Sequence, residues 1–299
     1  MRKKCRARRC KRIIEPELIK IINEYLFSLE VTDRAEATTE KYRRILLQFF
    51  RQCKKPIREL TCDDVLDWLD TLVFENKSKR TIALYFAVLN NFFKYCLGEE
   101  HINKTLVKRR WRTKIPSTLP KFLDRAEIAR LKICAEKLSL RDRAIIIFLL
   151  SSGCRRSEVS GLDIEDIDLD NRTANVLGKG NKKREVHFSI ECALLLKEYL
   201  AIDKRDKGPL FLNKHGKRLK PKGIYRVVVK LKKMADFPEN LSPHSFRHTF
   251  AYELQAKGAD LNFIASELGH EDLNTTRIYT QVLTRDLIAA YNKRMGWVI

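Results

Sequence analysis

The spacing of apolar residues between positions 15 and 99 constrains the fold most. Apolar side chains recur there every three or four positions, as they do on one face of a helix. The four runs are Leu18, Ile21, Ile22, Tyr25 and Leu26; Tyr42, Ile45, Leu46, Phe49 and Phe50; Val65, Leu66, Trp68 and Leu69; and Ile82, Tyr85, Phe86, Leu89, Phe92, Phe93 and Cys96. Thr61 precedes the third run as a predicted helix N-cap. We predict a small helical bundle whose aromatic residues form its core.

Two basic segments flank this region. Residues 1–14 contain eight Lys and Arg and no acidic residue, and residues 104–121 contain seven Lys and Arg, no acidic residue and two prolines that break regular structure. We interpret 1–14 as a basic arm, 15–103 as a helical domain and 104–121 as a linker. Either basic segment could simply be solvated, but the charge favours contact with phosphates. The DNA-contacting residues predicted in the linker are Lys108, Arg109, Arg110 and Arg112.

The pattern changes in residues 122–299, the predicted second domain. Asp124 and Glu127 have the spacing of a helical capping box, and helices are predicted at about 124–137 and 139–152. Short apolar runs follow near 164–169, 174–177 and 186–188, separated by turn residues, and they predict a small antiparallel sheet. Helices resume after Ser189. The predicted fold class is mainly α with one small antiparallel sheet.

The net charge indicates the class of partner, and the cysteines bear on the redox state of the thiols. The chain has 60 Lys and Arg against 38 Asp and Glu, a formal net charge of +22. Such a surplus on a folded chain favours nucleic acid as the partner and leaves enzyme and non-enzymatic binder open. The eight cysteines follow no secretory signal, so we expect reduced thiols. The longest apolar run, Ala144 to Leu150, is too short to span a bilayer, and we expect a soluble, cytoplasmic protein.

Phosphodiester exchange without a metal needs a nucleophile, cations around the phosphate oxygens and a proton donor for the leaving hydroxyl. The acidic residues are dispersed, without the clustered carboxylates of a metal-dependent nuclease. His244 and His248 have zinc-helix spacing, but Ser245 stands between them where a zinc helix has Glu, and we predict no metal. Four segments supply cations instead: Gly153-Cys-Arg155-Arg-Ser-Glu158, Gly178-Lys179-Gly-Asn-Lys-Lys-Arg184, His244-Ser-Phe-Arg247, and Leu268-Gly-His270 followed by Tyr279.

In this order and spacing, the four segments resemble the tyrosine recombinase (phage integrase) family, and its bacterial Xer-type members most of all. The resemblance covers about residues 15–299. It implies a SAM-like helical core-binding domain followed by a mixed α/β catalytic domain. It also implies six catalytic residues: Arg155, Lys179, His244, Arg247, His270 and Tyr279.

The resemblance further implies a role for each of these residues. Tyr279 attacks the scissile phosphate and forms a 3′-phosphotyrosyl bond, while Arg155 and Arg247 clamp its non-bridging oxygens. Lys179 acts as general acid, His244 assists proton transfer and His270 bonds a phosphate oxygen. Glu158 matches an acidic position that supports the first arginine and the histidine. The other basic residues of the hairpin are expected to bind backbone phosphates: Lys182, Lys183 and Arg184.

The implied reaction requires neither ATP nor a cofactor, because the phosphotyrosine conserves the bond energy for the rejoining step. The implied substrate is double-stranded DNA with a short inverted-repeat site, bound by a tetramer of identical or sister subunits through a Holliday junction. The role is chromosome or plasmid dimer resolution, or integration and excision of a mobile element. Two alternatives share these residues: a type IB topoisomerase that relaxes supercoils, and an inactive DNA-binding relative.

Overall fold

The computed structural model describes residues 14–32, 34–53, 55–112, 115, 122–178, 182–237, 241–269 and 276. Most of the predicted arm, the end of the predicted linker and three predicted catalytic residues (Lys179, His270 and Tyr279) lie outside the described residues. The chain divides into two compact units, Met1–Ser117 and Thr118–Ile299.

The first unit is a bundle of helices. They are α1 (Pro16–Val31), α2 (Glu36–Gln52), α3 (Cys62–Phe74) and α4 (Lys79–Gly98), with single 3-10 turns at Ile57–Glu59 and Arg109–Trp111. The fully buried ring of Phe49 lies at the centre, with centroids 5.1 Å from Trp68 and 5.9 Å from Phe93 in edge-on geometry. Such edge-to-face contacts are favourable for aromatic side chains. The prediction that the aromatic residues form the core is confirmed.

The second unit packs helices around one small sheet. Its helices are α5 (Arg125–Ala135), α6 (Leu140–Ser152), α7 (Arg156–Gly161), α8 (Ile190–Asp203), α9 (Pro221–Met234), α10 (Pro243–Ala256) and α11 (Leu261–Leu268). Its strands are β1 (Ile167–Asp168), β2 (Thr173–Leu177) and β3 (Lys183–His187), antiparallel in the order β1-β2-β3, with Ala174 opposite Val186. The predicted fold class, mainly helical with one small antiparallel sheet, is confirmed.

Helix α6 is the core element of this unit. It is apolar nearly all round, with residues 144–149 buried, as expected of a helix surrounded by others. It packs against α8, α9 and α10. It ends at Gly153, directly before α7, and Ser242 caps the start of α10. Arg247 on α10 donates to the carbonyl of Gly153, which ties α10 to the junction between α6 and α7.

Among the described residues, no helix is both long and apolar enough to cross a membrane.

Candidate active site

Gly153 fixes the path of the chain from α6 into α7. Its φ of 61° lies in the left-handed region, which costs other residues roughly 1–2 kcal/mol. A Cβ atom at this position would lie 2.4 Å from Cδ1 of Phe250, well inside van der Waals contact. Only glycine fits both constraints. The chain turns here and places Arg155 at the N-cap of α7.

Arg155 and Arg247 converge on the C-terminal end of α11. Arg247 is buried on α10, and its Nη1 donates to the carbonyl of Gly153 at 2.8 Å. Its Nη2 donates to the carbonyl oxygen of Leu268. Arg155 reaches the same oxygen through Nη1 at 3.4 Å, and donates through Nη2 to the carbonyl of Gly269 at 3.3 Å. The two arginines that the sequence predicts as a pair therefore meet at one carbonyl oxygen.

The end of α11 attracts cations for a physical reason. The last carbonyls of a helix lack intrahelical donors and carry partial negative charge. Gly269 ends the helix with a φ of 62°. The carbonyl of Leu268 accepts bonds from both guanidinium groups, and that of Gly269 accepts one from Arg155. The guanidinium groups donate to carbonyl oxygens here. The same planar arrangement of donors also suits phosphate oxygens.

Arg155 also binds the buried carboxylate of Glu158. The side chain of Glu158 is 1% exposed, and its Oε1 accepts a bond from Nη1 of Arg155 at 2.7 Å. Its Oε2 accepts from the backbone N–H of Arg155 at 2.7 Å, so the same carboxylate also binds the backbone at the start of α7. Burial works to raise the pKa of Glu158, but hydrogen bonds from Arg184 and Arg155 outweigh it and lower that pKa. Glu158 is thus an ionised, buried partner of Arg155.

His244 stands in the first turn of α10, three residues before Arg247. Burial lowers its pKa, and the positive charges of Arg247, Arg156 and Arg155 lower it further. The neutral imidazole is therefore favoured at neutral pH, and a neutral imidazole can accept a proton. Arg156, the neighbouring arginine of the same segment, lies over the ring of Tyr225, 5.8 Å from its centroid.

Cys154 and His248 stand next to Arg155 and Arg247 in the sequence. Cys154 is fully buried beside Arg155, and burial raises the pKa of its thiol to about 12, which suits a packing residue and not a reactive one. Burial lowers the pKa of His248 to about 4. In the described part of the chain, no group of three or more His, Cys, Asp or Glu is arranged to hold a metal ion.

Arg184, which the sequence groups with the phosphate contacts, binds Glu158 inside the protein. Its Nη1 and Nη2 donate to the two oxygens of Glu158 at 2.8 and 3.0 Å, and only 14% of its side chain is exposed. The reason is strand alternation, because Arg184 shares the inward face of β3 with the buried Val186. That alternation was the sequence signal for an inward Arg184. Lys182 and Lys183 are exposed, as a phosphate contact requires.

Gly178 and Gly269, which precede the predicted catalytic residues Lys179 and His270, lie beside Arg155, Glu158 and Arg184. The N–H of Gly178 donates to the carbonyl of Lys182 at 2.8 Å. A Cβ atom at Gly178 would lie 3.5 Å from Nη1 of Arg184 and 3.9 Å from Oε1 of Glu158. Lys179 follows Gly178 in the sequence, as His270 follows Gly269. The predicted linker residues Lys108, Arg109, Arg110 and Arg112 are all exposed in the first unit.

Comparisons with known proteins identify the family. Residues 121–285 match the phage integrase family, and residues 21–103 match the phage integrase N-terminal SAM-like domain. The chain is 35% identical to the tyrosine recombinase XerC of Thermodesulfovibrio yellowstonii, over 86% of this chain and 89% of that protein. A crystal structure of XerA recombinase matches with a TM-score of 0.53 and 27% identity, over 92% of this chain and 98% of that chain.

A second solved structure, XerH site-specific recombinase bound to difH substrate in a pre-cleavage complex, matches with a TM-score of 0.66 and 25% identity. The match covers 81% of this chain and 75% of that chain. The SAM-like domain and the catalytic domain that the sequence resemblance implied are both confirmed. The chain therefore belongs to the phage integrase family and is a Xer-like tyrosine recombinase, an enzyme that cuts and rejoins DNA strands.

Proposed function

We propose that Tyr279 is the nucleophile and that Arg155 and Arg247 bind the non-bridging oxygens of the scissile phosphate. The phenolic oxygen attacks phosphorus, the bond to the 5′-oxygen breaks, and a 3′-phosphotyrosyl bond forms. The observation that carries the proposal is the convergence of both guanidinium groups on the carbonyl oxygen of Leu268. Two cations held at one oxygen can stabilise the charge that develops on the phosphate in the transition state.

Proton transfer follows from the environment of His244. Its lowered pKa leaves it neutral, so it accepts the phenolic proton of Tyr279 during attack. Lys179 donates a proton to the departing 5′-oxygen, and His270 donates a hydrogen bond to a phosphate oxygen. The positions of Gly178 and Gly269 at the arginine cluster support these two roles. Attack of another 5′-hydroxyl on the phosphotyrosine reverses the steps and rejoins the strand.

The proposed substrate is double-stranded DNA that carries a short inverted repeat, bound by a tetramer of identical or sister subunits in the cytoplasm. Strand exchange between two such sites passes through a Holliday junction. The formal net charge of +22 supports a DNA substrate, because each neutralised phosphate releases counterions. Lys108, Arg109, Arg110, Arg112, Lys182 and Lys183 are proposed to contact backbone phosphates. Dimer resolution and mobile-element movement both use this chemistry.

Covalent capture in cells tests the proposal. Wild type and Tyr279→Phe would be expressed, the cells lysed in denaturing detergent, and the DNA attached to the protein sequenced. Tyr291→Phe is the matched control, since it removes another hydroxyl from the same C-terminal segment.

We expect adducts from wild type and Tyr291→Phe, accumulated at one inverted repeat, and none from Tyr279→Phe. Wild-type adducts scattered along the genome would instead indicate a topoisomerase-like relaxation of supercoils. Adducts that persist in Tyr279→Phe would overturn the assignment of the nucleophile.

A further inference from the structure

The buried carboxylate of Glu158 binds two arginines in different ways. Arg184 binds it as a fork, with one guanidinium nitrogen on each oxygen at 2.8 and 3.0 Å. The Arg155 side chain binds only Oε1, through Nη1 at 2.7 Å. The Nη2 of Arg155 is thereby directed to the carbonyl of Gly269. The fork on Glu158 is thus occupied by Arg184, and Arg155 keeps one edge for another acceptor.

This division matters because a carboxylate and a phosphate compete for the same guanidinium donors. Two-point binding of a carboxylate by arginine is the stronger geometry. Burying a carboxylate without enough hydrogen-bond donors costs free energy, so a nearby cation is favoured to bind it. Without Arg184, the cation that remains in contact with Glu158 in the described structure is Arg155. Arg155 would then turn both donors toward Glu158 and away from a phosphate.

Arg184 also fixes the end of α11. Its Nε donates to the carbonyl of Glu267 at 3.1 Å, one residue before the carbonyl that Arg155 and Arg247 share. Its side chain packs against Gly269 so closely that a Cβ there would lie 3.1 Å from its Cδ. One side chain on β3 therefore touches both α7 and the end of α11 that leads to His270.

We propose that Arg184 is a positioning residue for catalysis, which occupies the fork of Glu158 so that Arg155 can bind the scissile phosphate. This inference rests on the proposed role of Arg155 as a phosphate ligand. It assigns to Arg184 a role in the rate of cleavage, in place of a contribution to DNA affinity.

Arg184→Met and Lys183→Met separate these two roles. Both substitutions remove one positive charge from the same strand, but Lys183 is exposed and Arg184 is bound to Glu158. The readouts are the DNA dissociation constant and the single-turnover cleavage rate at saturating DNA. The probe is a duplex that carries the inverted repeat at which wild-type adducts accumulate.

We expect Arg184→Met to slow cleavage about 100-fold, the effect of a small misplacement of a reacting group. Its DNA affinity should change little. Lys183→Met should weaken DNA binding, as the loss of a phosphate contact does. Arg184→Lys keeps the charge but cannot form the fork, and it should also slow cleavage while the protein stays folded by circular dichroism.

A second readout distinguishes positioning from a structural role. A methylphosphonate at the scissile position removes one negative charge, so cleavage depends less on a correctly placed Arg155. The rate deficits of Arg184→Lys and Arg155→Ala should therefore both shrink on this substrate. A deficit of Arg184→Lys that is equal on both substrates would contradict the proposal.

The outcomes also separate this inference from the proposed function. If Arg155→Ala cleaves the normal duplex at the wild-type rate, the phosphate-clamp assignment and the Arg184 inference fail together. If Arg155→Ala is inactive while Arg184→Met and Arg184→Lys cleave at the wild-type rate, only the Arg184 inference fails. If Arg184→Met binds DNA more weakly but cleaves saturating DNA at the wild-type rate, Arg184 is a phosphate contact and the inference is wrong.

Discussion

At the scale of single residues, Gly153 joins backbone geometry to the arrangement of the arginines. Its left-handed φ ends α6, its missing side chain admits Phe250, and its carbonyl accepts a bond from Arg247. The glycine before the first motif arginine is therefore required by local stereochemistry. The reason lies in α10, almost a hundred residues later in the sequence.

Gly153→Ala should lower the free energy of unfolding by about 2–4 kcal/mol, because the left-handed strain adds to the clash with Phe250. Gly258→Ala is the control, since Gly258 has a φ of 84° but no atom within 4 Å of the place its Cβ would occupy. It should lose only about 1 kcal/mol. Urea denaturation measures both. Equal losses in the two variants would show that contact with Phe250 adds nothing.

His244 should titrate below the ordinary histidine value of 6.5 in the DNA-free protein. Burial and the nearby arginines oppose its charged form, so the neutral form persists as pH falls until that lowered pKa is reached. Below it, cleavage should slow because a charged imidazole cannot accept the proton of Tyr279. Arg156→Gln should raise the titration midpoint by removing one of the repelling charges. NMR titration of the imidazole measures the midpoint in the wild type and in Arg156→Gln. A wild-type midpoint above 6.5 would contradict this explanation.

At the scale of elements, the features that the sequence predicted well are local. The capping boxes of Thr61 with Asp64 and of Asp124 with Glu127 each depend on residues three positions apart, and the sheet depends on alternation within short runs. The predictions of Thr61 as an N-cap and of Asp124 with Glu127 as a capping box are both confirmed. Patterns of this kind are visible in sequence because neighbours along the chain create them.

The contacts that the sequence did not reveal join distant segments. Arg184 pairs with Glu158 across 26 positions, and Arg247 bonds a carbonyl 21 positions away. No local periodicity encodes such pairs, so the sequence groups Arg184 with its basic neighbours. Resemblance to a family supplied Arg155, His244 and Arg247, and the structure brings these three together. The alternation of β3 was a usable signal for Arg184.

Asp124→Ala should destabilise the second unit by about 1 kcal/mol, the usual cost of losing an N-cap side chain. The bond lost is the one from the N–H of Glu127 to Oδ1 of Asp124, 2.7 Å long. Lys220→Ala is the control, because Lys220 occupies the N-cap of α9 without a side-chain bond. It should be neutral or slightly stabilising, as a cation at a helix N-terminus is unfavourable. Thermal unfolding that ranked the two variants in the reverse order would contradict this account of the caps.

At the scale of the whole molecule, the surplus of positive charge should make DNA binding steeply dependent on salt. Arg109→Ala with Arg110→Ala removes two exposed charges and should reduce the slope of log affinity against log salt by about 2. Lys20→Ala with Lys77→Ala removes two charges that are already paired with Glu24 and Glu75. Fluorescence anisotropy should show a much smaller change for the second pair. Equal changes would mean that net charge alone, and not the position of the arginines, governs binding.

The most direct test of the central claim, that Tyr279 exchanges a phosphodiester for a phosphotyrosyl bond, is to locate the covalent bond. Purified protein would be incubated with a nicked duplex that carries the captured site, so that the released strand diffuses away and the adduct accumulates. Proteolysis and mass spectrometry then identify the modified peptide. We expect a nucleotide attached to Tyr279, and no adduct from Tyr279→Phe. A nucleotide attached to another residue, or cleaved strands with no covalent adduct, would contradict it.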